Sequence, residues 1–517
     1  MIEIFVAGER LDLPPDFQIN LEVENPFMTV DHIPVAHTYS MDFPMSGKNK
    51  RLLGVVEGVL VLAGSEVPSE IRVNGTPLME GKLCLDAVDN ETRTISATFT
   101  NSMNWSPYQN KSLCDIAEFN EVNFRYNTPC TVYQLYSAKV FAILIKDILK
   151  VAIPQLDLDA RYDGLLSYLA GAIMLYGDKD YRWQVEDAYG VVEESGLNDA
   201  SEGLPNMPIS DFVHNLCNLL CATFVVSGKS VKLISNNRIL QSTEVVEWTV
   251  DDAFKMESVA PKRYQAGYEN LLFDNDMKCD GADVATKEVG SVNAVINTTQ
   301  TESDCIYKVR FGAHYDYYLK SIINGQYVYA FKGTDGMQPQ EQPEDDREVV
   351  DCKTSFVPVT PILSRIWSWG NNDLRYQTDL SSVFPSAGED KPTKLYIGLL
   401  ATNVSTSGSS KAYTTLLDRG QLPNGTTGIY HSLSMNQNAA NNIFSSHHFT
   451  YKMFWETSRS LVTVRPILTA TELSQLINNP CKKILIRNRQ CLLNQASVTI
   501  NADGSINVKA SVVTLDS

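Results

Sequence analysis

The chain has 517 residues, of which 44% are hydrophobic and 20% charged, enough to bury several cores and fill about three domains. Its net charge of −18, from 61 acidic and 43 basic residues, argues against a basic patch that grips nucleic-acid phosphates and fits a soluble surface. No apolar run reaches the roughly eighteen residues that a membrane span needs, and Met1-Ile2-Glu3 lacks the basic flank and apolar centre of a secretory signal.

Folding in a cytoplasm is therefore the expectation. The ten cysteines, at 84, 114, 130, 217, 221, 279, 305, 352, 481 and 491, include no pair at the two-residue spacing of zinc or redox sites. They read as reduced and buried thiols; Cys217 and Cys221, four apart, would share a helical face.

In chain order, Ile2, Ile4 and Val6 alternate with other residues and lead through Ala7-Gly8-Glu9-Arg10 back to Leu11 and Leu13. In Phe17-Gln18-Ile19-Asn20-Leu21-Glu22-Val23-Glu24 the alternation has no fault, which puts Phe17, Ile19, Leu21 and Val23 on one dry face of a strand. Asn25-Pro26 ends it, because proline cannot donate to a ladder. Tyr39, Met41 and Phe43 alternate again before Pro44.

This hairpin, Leu13-Pro14 with Asp16 two residues on, the strand ending at Asn25-Pro26, and the extended segment closing on Pro44 with a Lys48-Asn49-Lys50-Arg51-Leu52-Leu53-Gly54 tail resemble tail hub proteins of phages and prophages infecting Bacteroidetes-type hosts. Such proteins are similar in role to the baseplate hubs of contractile and long non-contractile tails. The resemblance covers about sixty N-terminal residues and two later segments. It implies a virion structural protein in which two similar β-barrels per subunit sit side by side and three copies present six barrels. A homotrimer of that kind would join a hexameric tail tube to a threefold spike and let DNA pass.

The meander continues through Ile71, Val73, the hairpin signal Asn74-Gly75, Leu83-Cys84-Leu85, a turn at Asp89-Asn90-Glu91 and Thr94 to Phe99. The period then changes. Ala138 to Ile153 carries Val140, Ile143, Leu144, Ile148 and Val151 at helical spacing and stops at Pro154. Leu165, Leu166, Leu169, Ile173 and Met174 predict another short helix, and Asp178 to Pro208 reads as an exposed acidic loop.

A third helix is predicted from Pro208 through Cys221 with Ser210 as its N-cap, followed by strands around Phe224-Val225-Val226 and Val231-Lys232-Leu233-Ile234. Ser227-Gly228-Lys229-Ser230 is no phosphate loop, because Thr223 stands where its first glycine belongs and a strand follows. The helix and the hairpin ending in Asn236-Asn237-Arg238-Ile239-Leu240 resemble the mixed domain beside tail-hub barrels.

Strands recur at Cys305 to Phe311 and Tyr327 to Phe331, and Gly333 to Glu348 reads as a mobile acidic loop. Asp274 to Gly281 fails as a calcium loop, since Lys278 and Lys287 occupy ligand positions; it reads as a solvated turn. Thr402 to Lys411 reads as a flexible loop and Gln421 to Gly428 as a turn. Leu461 to Val464 is a strand, Thr469-Ala470-Thr471-Glu472 a capping box, and Ile484 to Ile486, Val498, Ile500 and the alternating Ile506, Val508, Ala510 and Val512 close a second meander. This closing order also resembles phage hubs.

The fold class expected is α+β, predominantly antiparallel β, with β-barrel or meander domains at both ends and mixed helix-hairpin domains between. The segments are 1–130, 131–240, 241–400 with its mobile loop near 333–348, and 401–517 with its capped helix.

Chemistry is sparse. No Gly-x-Ser-x-Gly elbow exists and no Gly-x-Gly-x-x-Gly follows a strand. Adjacent His447 and His448 would point to opposite faces of a strand, and with His431 they read as surface or interface histidines. Trp367-Ser368-Trp369 and Tyr315-Asp316-Tyr317-Tyr318 read as core or interface anchors, with sugar stacking as the competing use.

No catalytic, cofactor or metal residues are expected. The function expected is a non-enzymatic tail or baseplate hub that associates with itself, the tail tube and spike or fibre proteins, with an acidic lumen. The alternatives are a host-glycan-binding tail adhesin and a tail-associated cell-wall hydrolase; two carboxylates on a β-rich fold would suffice for the hydrolase.

Overall fold

A computed structural model describes, with side chains, residues 1–30, 33–34, 36–55, 66–101, 105–109, 111–116, 145–156, 204–226, 231–251, 254–269, 345–358, 395, 397, 433–436 and 442–515; the other strands named below are described by their backbone. It is mostly antiparallel β-sheet with some helices, as the α+β reading expects.

Alternation sets the first strands. β1 (Ile2–Val6), β3 (Ile19–Glu24), β4 (His37–Thr38), β5 (Met41–Pro44), β6 (Glu66–Val73), β7 (Thr76–Asp89) and β8 (Thr94–Thr100) bury alternate side chains over most of their length, β2 (Glu9–Arg10) is exposed, and Phe17, Ile19, Leu21 and Val23 all lie inside. Asn74 (φ 52°) and Gly75 (φ 79°) make the two-residue turn between β6 and β7 in the left-handed region. At Gly81 a Cβ would stand 2.0 Å from the Thr100 carbonyl oxygen, so β7 approaches β8 there only because the side chain is absent.

Two details of this stretch differ from expectation. Tyr39 is exposed outside β5 and donates to Glu22 at 2.7 Å, while the Lys48 to Gly54 stretch begins as helix α1 (Gly47–Leu52), whose N-cap Ser46 accepts from the Asn49 amide.

The C-terminal strands are β9 (Val245–Glu247), β10 (Lys255–Val259), β11 (Arg459–Val464), β12 (Lys483–Ile486), β13 (Arg489–Ile500) and β14 (Ile506–Thr514). They join the N-terminal strands in one 14-stranded sheet, ordered β10-β11-β14-β13-β3-β4-β8-β7-β6-β1-β2, with β5 on β8 and β9-β12 on β13. The junction is β3 against β13, antiparallel from Ile19 opposite Ile500 to Glu24 opposite Gln495. A single core runs beneath both ends, from Ile2 and Ile4 through Leu21 to Val498 and Val512.

Asn25 seals this junction. A register shift between Leu493 and Gln495 opens the β13–β14 ladder, and into it the Asn25 side-chain amide donates to the Leu493 carbonyl at 2.7 Å and its backbone N–H to the Asn494 carbonyl at 3.2 Å. Its Oδ1 accepts from the Phe27 amide at 3.0 Å and the Cys481 thiol at 3.1 Å, so the fully buried side chain is satisfied. The Asn74 side chain adds a second tie, donating to the Gly504 carbonyl at 3.2 Å.

The expected capping box forms: Thr469 and Glu472 cap α6 (Ala470–Asn478), and Leu473 and Ile477 bury its inner face while Ser474 donates to the Leu78 carbonyl on β7.

A second core gathers α2 (Ile145–Ala152), α3 (Ile209–Leu220), α4 (Asn236–Gln241), α5 (Phe449–Glu456), the hairpin Ala222–Ser227 with Ser230–Ser235, and the parallel pair Arg263–Tyr268 with Val349–Thr354. Ile209, Phe212, Val213, Leu216 and Leu220 give α3 its buried stripe.

Several expectations change here. Residues Tyr136–Leu144 form a strand, and only Ile145–Ala152 is helical; Val140, Phe141 and Ile143 favour the extended state and the helix still stops before Pro154. Trp183–Asp187 and Val192–Glu193 are strands within the supposed loop, and Leu204 and Met207 near its end are buried. Ala172–Met174 pairs as a strand with Ala142 to Leu144; the rest of the helix predicted from Leu165 lies outside the described residues.

Ser210 is not the N-cap of α3: Pro208 holds that position, and the Ser210 hydroxyl donates to Asp211 at 3.2 Å. Residues 236–241 form a helix instead of ending a hairpin. Leu400–Thr406 and Ser409–Thr414 pair as a hairpin where a flexible loop was expected, because Thr402, Val404, Thr406 and Tyr413 favour extended backbone.

Cys305–Phe311, His314–Ile323, Gln326–Thr334, Ser364–Ser368 and Leu374–Gln377 belong to a six-stranded sheet. The expected loop near 333–348 starts inside one of its strands, and 335–344 lie outside the described residues. Lys278–Cys279 and Ala282–Asp283 pair as a small hairpin; the start of the supposed calcium stretch and the turn at 421–428 also fall outside.

Replacing Asn25 by Ala removes a donor from the Leu493 carbonyl and an acceptor from the Phe27 amide. We expect a loss of about 2–4 kcal/mol, read as a lower urea midpoint at unchanged slope.

Candidate functional site

The densest polar chemistry among the described residues lies inside the second core. Tyr264, on the strand Arg263–Tyr268, donates from its hydroxyl to His448 Nδ1 at 2.7 Å. His448 Nε2 lies 3.0 Å from the Leu219 carbonyl oxygen, which can only accept, so Nε2 carries the proton and Nδ1 is the acceptor. Leu219 stands in the last turn of α3, where carbonyls lack intrahelical partners; the imidazole supplies one.

His448 closes the π-helical turn Phe444–His448 that precedes α5, and it stacks on Phe444. Both members of the histidine doublet are buried, contrary to the surface expectation: the π turn, not a strand, carries them.

Around this pair, Cys221 adopts φ 47° just beyond α3, with its sulfur 3.9 Å from the Tyr264 hydroxyl and 3.6 Å from the Asn236 amide nitrogen. The Thr223 hydroxyl donates to Asn236 Oδ1. Asn215 and Asn218, on the buried side of α3, hold the strand Val349–Thr354: Thr354 donates to the Asn215 carbonyl at 3.1 Å and Asn218 donates to the Lys353 carbonyl at 2.8 Å. Two asparagines three apart within an apolar stripe were the available sequence signal for this tie.

Burial decides the reactivity of these groups. It lowers His448 from 6.5 to about 4, against the opposing pull of the Leu219 bond, and pushes the thiols of Cys217, Cys221 and Cys481 up to about 12. Tyr264 is held well above its ordinary value by the same cause. Thiols in this state are protonated and poor nucleophiles.

The cavity beside them, lined by Cys217, Cys221, Thr223, Asn236, Cys352 and Tyr451, has a volume of about 40 Å³. That holds one or a few waters, far below the roughly 300 Å³ of a small-molecule site. The centre therefore acts as a clamp between α3, the strand of Tyr264 and the turn before α5.

The other singled-out residues scatter. In the six-stranded sheet, register sets Tyr307 opposite Tyr318, Tyr318 opposite Phe331 and Tyr329 opposite Trp367. His431, Trp369, Gly228 and Lys229 lie outside the described residues. Ser227 and Ser230 pair in an antiparallel hairpin, and a strand, not a helix, begins at Ser230. No three His, Cys, Asp or Glu side chains among the described residues converge as metal ligands, and no described helix is long and apolar enough to cross a membrane.

No family model matches the chain and no curated protein matches it. Among solved structures, it is similar to a tail protein from Neisseria meningitidis, at 7% identity and a TM-score of 0.35, over 99% of this chain and 95% of that one. It is similar also to a 43 kDa tail protein of prophage MuSo2 from Shewanella oneidensis, at 6% identity, TM-score 0.35 and coverage of 100% and 97%. A third is the prophage tail protein gp18 from Listeria monocytogenes, at 7%, 0.32, and 99% and 94%. At these scores the likeness is too low to fix fold or function.

The clamp has a pH signature. Because His448 binds its proton less readily folded than unfolded, its contribution is complete above pH 6.5 and is lost as pH falls toward 4, by roughly 3 kcal/mol in all. Urea midpoints measured across that window should fall, and His448→Gln, which can keep both hydrogen bonds without titrating, should flatten the dependence.

Proposed function

We propose that the chain is a structural protein of a phage tail, the tail or baseplate hub, which forms a ring between the tail tube and the distal spike or fibre parts. The observation that carries this reading is the 14-stranded sheet built from both ends of the chain, whose end strands β10 and β2 each pair on one side only among the described residues. Open edges present rows of unpaired amides and carbonyls to a neighbour, and rings remove such edges by closing. The N-terminal resemblance to tail hubs supplies the biological setting.

In this reading the sheet supplies the two barrels of each subunit, and three copies bury an interface in the obligate range, upward of about 2,000 Å². The segments 1–130, 131–240, 241–400 and 401–517 act as its parts, the first and last united through β3 and β13. The role is mechanical and non-enzymatic, with no cofactor. Assembly takes place in the host cytoplasm and the product resides in the virion tail. The net charge of −18 favours an acidic lumen along which DNA slides without being gripped.

A second reading, a glycan-binding tail adhesin, draws on the row of Tyr307, Tyr318 and Phe331.

Native mass measured over a range of concentrations should give a trimer of the 57.6 kDa chain, and imaging should show a ring with six barrels. A chain that stays monomeric alone and in the presence of its tail-tube neighbour would refute the hub.

A further inference from the structure

Among the described residues, Asn74-Gly75 is the only asparagine followed by glycine. The pair forms the tip of the β6–β7 hairpin, where both residues are exposed. Covalent geometry keeps the side-chain carbon of an asparagine within reach of the next residue's amide nitrogen, and glycine leaves that nitrogen unshielded. Nothing stands within 4 Å of where a Cβ on Gly75 would be. The turn pairs Val73 with Thr76, so the Gly75 N–H donates to no described residue and faces solvent. Every other described asparagine precedes a residue with a side chain, and Asn25 and Asn479 precede proline, which has no N–H to lose.

The Asn74 amide also has a structural duty. Its Nδ2 donates at 3.2 Å to the carbonyl of Gly504, in the turn between β13 and β14, which ties an N-terminal hairpin to a C-terminal one. Gly504 is packed so closely that a Cβ on it would collide with Asn74 Oδ1. Oδ1 accepts from the Met1 amine, a bond that an aspartate would keep.

We propose that Asn74 is a site of spontaneous covalent conversion, and that its products loosen this tie. The Gly75 amide gives its proton to solvent hydroxide and its nitrogen attacks Asn74 Cγ. The new N–Cγ bond closes a succinimide while the Cγ–Nδ2 bond breaks, and the departing nitrogen takes a proton from water and leaves as ammonia. A further water opens the ring at either carbonyl, giving aspartate or isoaspartate; the net change is water consumed and ammonia released. Neither product can donate to the Gly504 carbonyl. Isoaspartate also adds a methylene to the main chain, which a two-residue turn between Val73 and Thr76 cannot absorb in register. The closed hairpin restrains Asn74, so conversion proceeds through local opening of the tip and is slower than in a free peptide.

The test incubates the full chain at mildly acid and mildly alkaline pH beside a free peptide of residues 70–79. Peptide mapping by mass spectrometry follows each asparagine, and an isoaspartyl methyltransferase reports isoaspartate. Residue 74 should convert about tenfold faster than any other described asparagine, because its neighbouring nitrogen alone is unshielded. The rate should rise with pH, stay below that of the peptide and yield isoaspartate. Asn74→Gln, whose carbonyl carbon stands a methylene farther from the Gly75 nitrogen, should stop it. Asn74→Asp should lower the urea midpoint.

A residue 74 that stays an amide while the peptide converts, earlier conversion of another described asparagine, or a rate indifferent to pH would overturn the site. An Asn74→Asp midpoint equal to the parent's would overturn the loosening.

Discussion

The hydrogen bonds of Asn25 hold together residues 468 positions apart, and the rest of the molecule is arranged around that closure. β3 is buried on one face and flanked by β4 and β13, so its register must be fixed or its apolar set would turn outward. The opened ladder at Leu493 and Asn494 leaves carbonyls that only a short, bent donor can reach. Asparagine at the end of β3 supplies one, and proline immediately after it turns the chain away. The next residue, Phe27, lies edge-on to Tyr451 and Phe454 and gives its carbonyl to the Tyr451 hydroxyl at 2.7 Å, so the same turn that seals the sheet enters the second core.

Polar groups do the same work in that second core. Apolar packing alone leaves helices free to slide by a turn, whereas Asn215, Asn218, Tyr264 and His448 each have one geometry in which their partners are met. The π turn is what aims His448 at the end of α3. Burial keeps the imidazole neutral and the thiols protonated, so the centre gains rigidity and gives up reactivity.

Among the described residues, the polar side chains of the second core serve internal ties, while β10 and β2 each pair on one side only and an apolar slot lies beside β10.

The sequence by itself determined the local elements whose signal is local: the faultless alternation from Phe17 to Val23, the Asn74-Gly75 turn, the Thr469 to Glu472 capping box and the strand from Cys305 to Phe311. It misread Tyr136 to Leu144, where helical and extended spacing both fit the apolar positions, and Thr402 to Lys411, where polar composition hid a hairpin. It correctly made Cys221 a buried thiol, though Cys217 is only half-buried, and it put the His447-His448 doublet at a surface or interface, because a π turn has no readable period.

Only the tertiary structure decided that β3 lies against β13 and that β10 pairs on one side only among the described residues. Strand pairing across hundreds of residues depends on which face meets which, and alternation records only that a face is dry. The partner that dries it is chosen by packing and by groups such as Asn25, whose purpose appears only when both of its neighbours are in place.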